Sequence, residues 1–173
     1  MLISPEYREL NRELHARGSF GVSGGKWAPH VHNLALKHEV RNVLDYGCGQ
    51  GTLKAALENA PFALPYQVLE YDPAIEGKEE KPARADLVVC GDVLEHIEPE
   101  CLYTVLDDLA NTARVAVFLV VATRPAKKIL ADGRNAHLIV ESSDWWLRKI
   151  MDRWRIDTFK DLGGEFVCVG MPR

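Results

Sequence analysis

None of the four cysteines, Cys48, Cys90, Cys101 and Cys168, stands in a C-x-x-C pair. Three lie in or beside apolar segments, so buried reduced thiols are expected instead of a disulfide framework, and with them a cytoplasmic setting. No apolar run is long enough to span a bilayer, and no signal-peptide pattern opens the chain, so no membrane partner is expected. There is no excess of basic residues: the formal net charge is -4. That argues against a large nucleic-acid surface and leaves room only for a local basic patch. No internal repeat is present. What remains is a chain of 173 residues, 47% hydrophobic and 27% charged, which suits one domain with a substantial core.

The most informative stretch is Val43-Leu44-Asp45-Tyr46-Gly47-Cys48-Gly49-Gln50-Gly51, followed by Thr52 to Glu58. It reads as a short buried strand, a glycine loop and a helix. Glycine permits unusual backbone angles and close approach of backbone to a ligand, and a helix N-terminus offers unpaired N–H groups. Thr52 stands where a dinucleotide fingerprint needs its third glycine, and the Gly-Lys-Ser/Thr ending of a phosphate loop is absent. A tight turn is the plain alternative to a ligand-binding corner.

Ser4 and Pro5 suit a helix start, with Tyr7, Leu10 and Leu14 at helical spacing and an end near Gly18. Gly18 to Gly25 is either a flexible linker or a lid over the glycine corner. Val31 to Val40 reads as a second helix; His30, His32 and His38 are expected on the surface or in packing. Tyr66 to Asp72 reads as a second strand ending in an acidic residue. Asp72 is then either a turn Asp before Pro73 or the carboxylate that takes both hydroxyls of a ribose. Glu76 to Arg84, with Gly77 and Pro82, is a loop. Ala85 to Cys90 is a third strand, Pro99 can open a helix with a Leu102, Val105, Leu106 and Leu109 stripe, and Arg114 to Ala122 is a buried strand. The polar connection 123–141 carries Arg124, Lys127, Lys128, Arg134 and His137. Ser143 is a candidate cap for a helix carrying Trp145, Trp146, Ile150 and Trp154, and Arg155 to Phe159 with Phe166 to Val169 suggest a terminal hairpin.

With Leu44 to Gly51, Asp72 and Ala85-Asp86-Leu87-Val88-Val89-Cys90-Gly91-Asp92-Val93-Leu94-Glu95-His96-Ile97 in view, the chain resembles a class I S-adenosylmethionine-dependent methyltransferase from Val31 onward. It is similar, more narrowly, to small bacterial or phage methyltransferases of unassigned substrate, which share the Gly133 to Ile139 segment. The resemblance implies an α/β fold, a Rossmann-like mostly parallel sheet with a C-terminal antiparallel hairpin, abridged between strands two and four of the family. It implies one domain over 1–173, with 1–40 an N-terminal helical segment and candidate lid and 41–173 the core. S-adenosylmethionine is the implied cofactor. Gly47, Gly49 and Gly51 would border its methionine and ribose parts and Asp45 would shape the site. Asp72 would bind the ribose, Tyr71 or Pro73 would flank the adenine, and Asp92 and Val93 would border the methyl-donor end.

Transfer from an activated donor needs in-line positioning of a nucleophile and, for a hydroxyl or amine, a base. Asp92, Glu95, His96 and His137 are the candidate catalytic residues. The same four are candidate ligands for a divalent metal, Mg²⁺ or Mn²⁺, if a helix begins by Asp92 and puts Asp92, Glu95 and His96 on one face. That arrangement is similar to metal-dependent methyltransferases acting on the terminal 2′-hydroxyl of small RNAs, although Asp92 replaces their usual Glu. The competing reading gives Glu95 and His96 the task of orienting the strand–helix junction. The expected acceptor is an O or N nucleophile of a small molecule or nucleotide, anionic if Arg124, Lys127, Lys128 and Arg134 face it. A non-catalytic cofactor-binding regulatory or scaffold module is the alternative.

Overall fold

A computed structural model describes residues 1–16, 18, 21–61, 64–81 and 84–173. Among these residues six strands form one sheet: β1 (Asn42–Tyr46), β2 (Gln67–Tyr71), β3 (Ala85–Gly91), β4 (Ala113–Ala122), β5 (Trp154–Asp161) and β6 (Glu165–Pro172). Their order is β2-β1-β3-β4-β6-β5. The first four are parallel, and β6 pairs antiparallel with both β4 and β5. β2 is therefore an edge strand, with only a loop between it and β3 among the described residues; Pro82 lies outside them. The abridged Rossmann-like sheet with a C-terminal hairpin is thus the observed architecture.

Alternation along the central strands decides which helix covers which face. Leu87 and Val89 of β3, with Ala116, Phe118 and Val120 of β4, face α2 (Ala28–Lys37) and α3 (Thr52–Glu58) through Val31, Ala35, Leu53 and Leu57. Val88, Cys90, Val117, Leu119 and Val121 face α4 (Leu102–Thr112) and α5 (Ser143–Met151). The expected α4 stripe, Leu102, Val105, Leu106 and Leu109, is fully buried there. Each such side chain contributes roughly 1.5–3 kcal/mol by leaving water. The four cysteines are buried and unpaired. No described helix is long and apolar enough to cross a membrane.

The N-terminal helix α1 (Pro5–Ala16) lies apart from both faces. Its Tyr7 and Leu14 pack on Leu130 and Ala136 of the connection after β4. Ser4 caps it, accepting the Tyr7 N–H at 3.1 Å, and is itself held by the Glu98 carboxylate through its N–H (2.8 Å) and hydroxyl (2.6 Å).

Three local expectations need correction. α2 starts at Ala28, not Val31, because Pro29 fits its first turn. The α5 cap is Ser142, one residue before the expected Ser143, and it accepts the Trp145 N–H. Trp154 belongs to β5, not α5: the helix stops at Met151.

Candidate active site

A cleft of about 370 Å³ opens at the carboxyl ends of the parallel strands. That is where open α/β sheets place ligands, and its size is in the range of small-molecule pockets. Gly47 follows β1, Asp72 to Ala74 follow β2, Asp92, Val93, His96 and Ile97 follow β3, and Arg124, Ala126 to Lys128, Ala136 and His137 follow β4; α1 adds Tyr7, Asn11 and His15 to the lining.

The three loop glycines have different neighbours. Gly47 lines the cleft at φ 78°, and a Cβ there would stand 2.5 Å from a Val93 methyl. Gly49 is covered by the chain itself: a Cβ would meet the Gly21 backbone at 2.8 Å, and Gln50 N–H bonds the Gly21 carbonyl at 3.0 Å. Gly51, also left-handed at φ 73°, lies against the Glu70–Lys78 ion pair. Of the stretch 18–25 expected as lid or linker, Gly21 to Gly25 are thus docked on the glycine corner. Ser19 and Phe20 lie outside the described residues.

Asp72 is 6% exposed, and its two oxygens accept the N–H groups of Gly49 (3.0 Å) and Ala74 (2.9 Å). Each oxygen keeps a further lone pair. Pro73 lines the cleft. Tyr71, the other expected adenine neighbour, is buried edge-on against Tyr46 in the core instead. Asp45 is buried beneath the corner, where desolvation, then the Glu70 charge, push its carboxyl up to about 7.

Asp92 does not open a helix. It sits at φ 57° after β3, and a short 3₁₀ turn begins only at Leu94. The shared helical face of Asp92, Glu95 and His96 therefore does not exist. The Asp92 carboxylate turns to Lys26 at 3.8 Å, while Glu95, His96 and His137 come together with one donor atom each inside 4.8 Å. Left-handed backbone at a non-glycine residue is costly and collects at functional sites.

The partners of the two imidazoles assign their tautomers. His137 Nδ1 lies 2.6 Å from the Arg124 carbonyl, and His96 Nδ1 lies 2.6 Å from the Ala136 carbonyl. A carbonyl only accepts, so both Nδ1 atoms carry a proton, and in the neutral imidazole the lone pair lies on Nε2. The rings meet edge to face with centroids 4.7 Å apart. Burial, then the neighbouring His137, lower His96 to about 4. Glu95 is 0% exposed; burial, then Asp92, raise it to about 8. Its Oε1 accepts the Ala122 N–H at 3.0 Å, while its Oε2 has no hydrogen-bond partner among the described residues.

Comparison with known proteins agrees with this geometry. A family profile described as a methyltransferase domain matches residues 20–162. The chain belongs to the methyltransferase-domain family. By family and fold it is a class I, S-adenosylmethionine-dependent methyltransferase. No curated protein matches it in sequence. Among solved structures, the 1,6-didemethyltoxoflavin-N1-methyltransferase of Burkholderia thailandensis is similar at a TM-score of 0.71 and 14% identity. The match covers 99% of this chain and 92% of that one. That structure holds 1,6-didemethyltoxoflavin and S-adenosylhomocysteine. The DhpI–SAH complex is similar at a TM-score of 0.64 and 16% identity, covering 96% and 93% of the two chains.

Two contributors to the methyltransferase cleft escape sequence reasoning. Asn135 clamps the loop after β4: its Oδ1 accepts the N–H groups of Ala126 and His137, both at 2.9 Å, and its Nδ2 donates to the Ala126 carbonyl at 2.9 Å. The Tyr7 hydroxyl donates to the His96 carbonyl at 2.6 Å and so ties α1 to the turn after β3. An Asn two residues after a glycine signals a turn but not its partners, and Tyr7 is 89 positions from its acceptor.

Proposed function

We propose that the protein methylates an O or N nucleophile of a small, anionic acceptor. The chain's own residues fit the cofactor its family implies. Gly47 brings bare backbone to the cleft, Asp72 offers two remaining lone pairs for a diol, and Pro73, Ala74 and Val93 supply apolar contact. The backbone of Asp92 would border the methyl-donor end beside Val93. Asp45 shapes the floor, and Gly49 and Gly51 let Gly21 and Glu70 close over it. The S-adenosylhomocysteine held by the two similar structures supports the same cofactor here. When bound, S-adenosylmethionine supplies a methyl group activated by a positively charged sulfur.

The observation that carries a catalytic reading is the His137 tautomer. With Nδ1–H fixed on Arg124, Nε2 presents a lone pair in the cleft and takes the proton from the acceptor O–H or N–H. His96 backs it edge-on, and Glu95 holds the end of β4 beside both. A module that merely binds cofactor has no use for such a base. The test is transfer from labelled cofactor to pooled small anionic metabolites, repeated with His137→Asn. Loss of about 10²–10⁴ in rate, with affinity for S-adenosylhomocysteine unchanged, is expected. Absence of any transfer by the native protein favours the regulatory or scaffold module.

The cluster of Glu95, His96 and His137 with the unmet Glu95 Oε2 favours one second reading, a divalent ion. Two imidazoles and one carboxylate form a borderline donor set, better suited to Mn²⁺, Co²⁺ or Zn²⁺ than to Mg²⁺, and Asp92 lies outside it. Thermal shift with chelator, then with each ion restored, decides it. No change, together with independent effects of His96→Ala and His137→Ala, removes the metal.

A further inference from the structure

We infer that Arg124 and Lys127 form an oxyanion subsite at the mouth of the cleft, taking a carboxylate or phosphate that the acceptor carries close to the atom to be methylated. The anion subsite stands on charge and geometry alone; its link to the methylated atom rests on the function proposed above.

Among the described residues, four cations line the cleft, Lys26, Arg124, Lys127 and Lys128, against three carboxylates, Asp72, Asp92 and Glu165, in a chain that is negative overall. The carboxylates are already engaged. Asp92 and Glu165 lie 3.8 and 3.4 Å from the Lys26 ammonium. Asp72 takes two backbone N–H groups on the far wall. Arg134, expected in the same basic group, does not line the cleft; its guanidinium grips Asp132 at 2.7 Å and lies over the Tyr7 ring. Among the described residues no carboxylate lies within ion-pair distance of Arg124 or Lys127. An anion arriving there gains their attraction without displacing an internal partner.

Arg124 is also placed by the fold. Its Cδ and Nε lie 3.3 and 3.5 Å from where a Cβ on Gly164 would stand, so the absence of a side chain at the β5–β6 turn lets the arginine lie down. Gly164 has φ 129°, and its carbonyl accepts the Thr123 N–H at 2.9 Å, fastening the turn to the root of Arg124. The Arg124 carbonyl in turn holds His137 Nδ1. One residue therefore fixes both the proton acceptor and a planar fork of donors suited to bidentate oxyanions. Asn135, bonding Ala126 and His137 together, keeps Lys127 on the same rigid loop. The acceptor class that fits has nucleophile and anionic group on one small frame.

The test uses the full chain, with and without saturating S-adenosylhomocysteine. Inorganic phosphate and acetate are titrated separately while the backbone amide resonances of residues 124, 127, 128 and 137, present in every variant, are followed; the tighter anion identifies the source of the oxyanion. A saturable shift is expected, with affinity falling at least tenfold in Arg124→Gln and Lys127→Gln and unchanged in Arg134→Gln. Arg124→Lys should fall between native and Gln. Retained binding of S-adenosylhomocysteine by every variant shows that the folded cofactor side is intact. No saturable shift with either anion overturns the subsite, as does an equal loss in Arg134→Gln, which indicates diffuse attraction. Failure of the native protein to bind S-adenosylhomocysteine counts against the proposed function and leaves the anion titration readable by itself.

Discussion

The substitution Asp45→Asn should make the protein more stable at neutral pH, increasingly so as pH rises. Asp45 is 6% exposed below the glycine corner, and no hydrogen bond compensates its burial among the described residues. Its carboxyl is raised from 3.8 to about 7, by desolvation first and by the charges of Glu70 and Asp72 after it. Between these two values the folded chain holds a proton that the unfolded chain has released. Stability therefore falls as pH rises through that window, by about 1.4 kcal/mol per unit, and the loss is complete above the folded value. Over roughly three units this amounts to about 4 kcal/mol, a large part of the 5–15 kcal/mol typical of a domain. The amide has the same shape as the carboxyl and no proton to lose. Urea unfolding of both proteins at pH 3, 5, 6.5 and 8 should show nearly equal stability at the acid end. The gap should then widen in favour of the Asp45→Asn protein until about pH 7 and become constant beyond. Parallel curves across the whole range would refute the reasoning, since they would mean that Asp45 titrates alike in both states.

Gly47→Ala and Gly77→Ala form a matched pair, since the glycines have φ 78° and 80° but a Cβ meets Val93 at the first and nothing within 4 Å at the second. Both should lose about 1–2 kcal/mol for the left-handed backbone, and only Gly47→Ala should lose more and weaken S-adenosylhomocysteine binding. Equal thermal shifts and equal binding would contradict the placement of Gly47. Asn135→Ala removes three hydrogen bonds of the loop after β4; faster amide exchange at Ala126 and His137, without change at Gly47, is the expected result.

Much of the fold can be read from spacing. The buried run ending at Tyr46, the glycines after it, and the Leu102 to Leu109 stripe are strong periodic signals, and each element forms where its residues indicate. Boundaries shift where two residues could do one job: Ser142 and Ser143 are both good caps, and only packing of Trp146 and Ile150 chooses the register. Asp92 departs from expectation for a different reason. A spacing of i, i+3, i+4 implies a shared face only inside a helix, and the left-handed turn after β3 has no signature in an Asp-Val pair. Glu95, His96 and His137 are legible as chemistry-bearing residues, but only the Arg124 and Ala136 carbonyls show which imidazole nitrogens carry the lone pair. The coverage of Gly49 by Gly21 depends on a long-range contact that local pattern does not encode.

The most direct test of the account is calorimetric titration of the native protein and of Asp72→Ala with S-adenosylhomocysteine, with NAD and ATP as controls. The native protein should bind S-adenosylhomocysteine and neither control. Asp72→Ala should bind it about 1.5–3 kcal/mol more weakly, the value of charge-assisted hydrogen bonds to a ribose. Heat with NAD and none with S-adenosylhomocysteine, or an Asp72→Ala protein that binds as tightly as the native one, would contradict the assignment of the cleft.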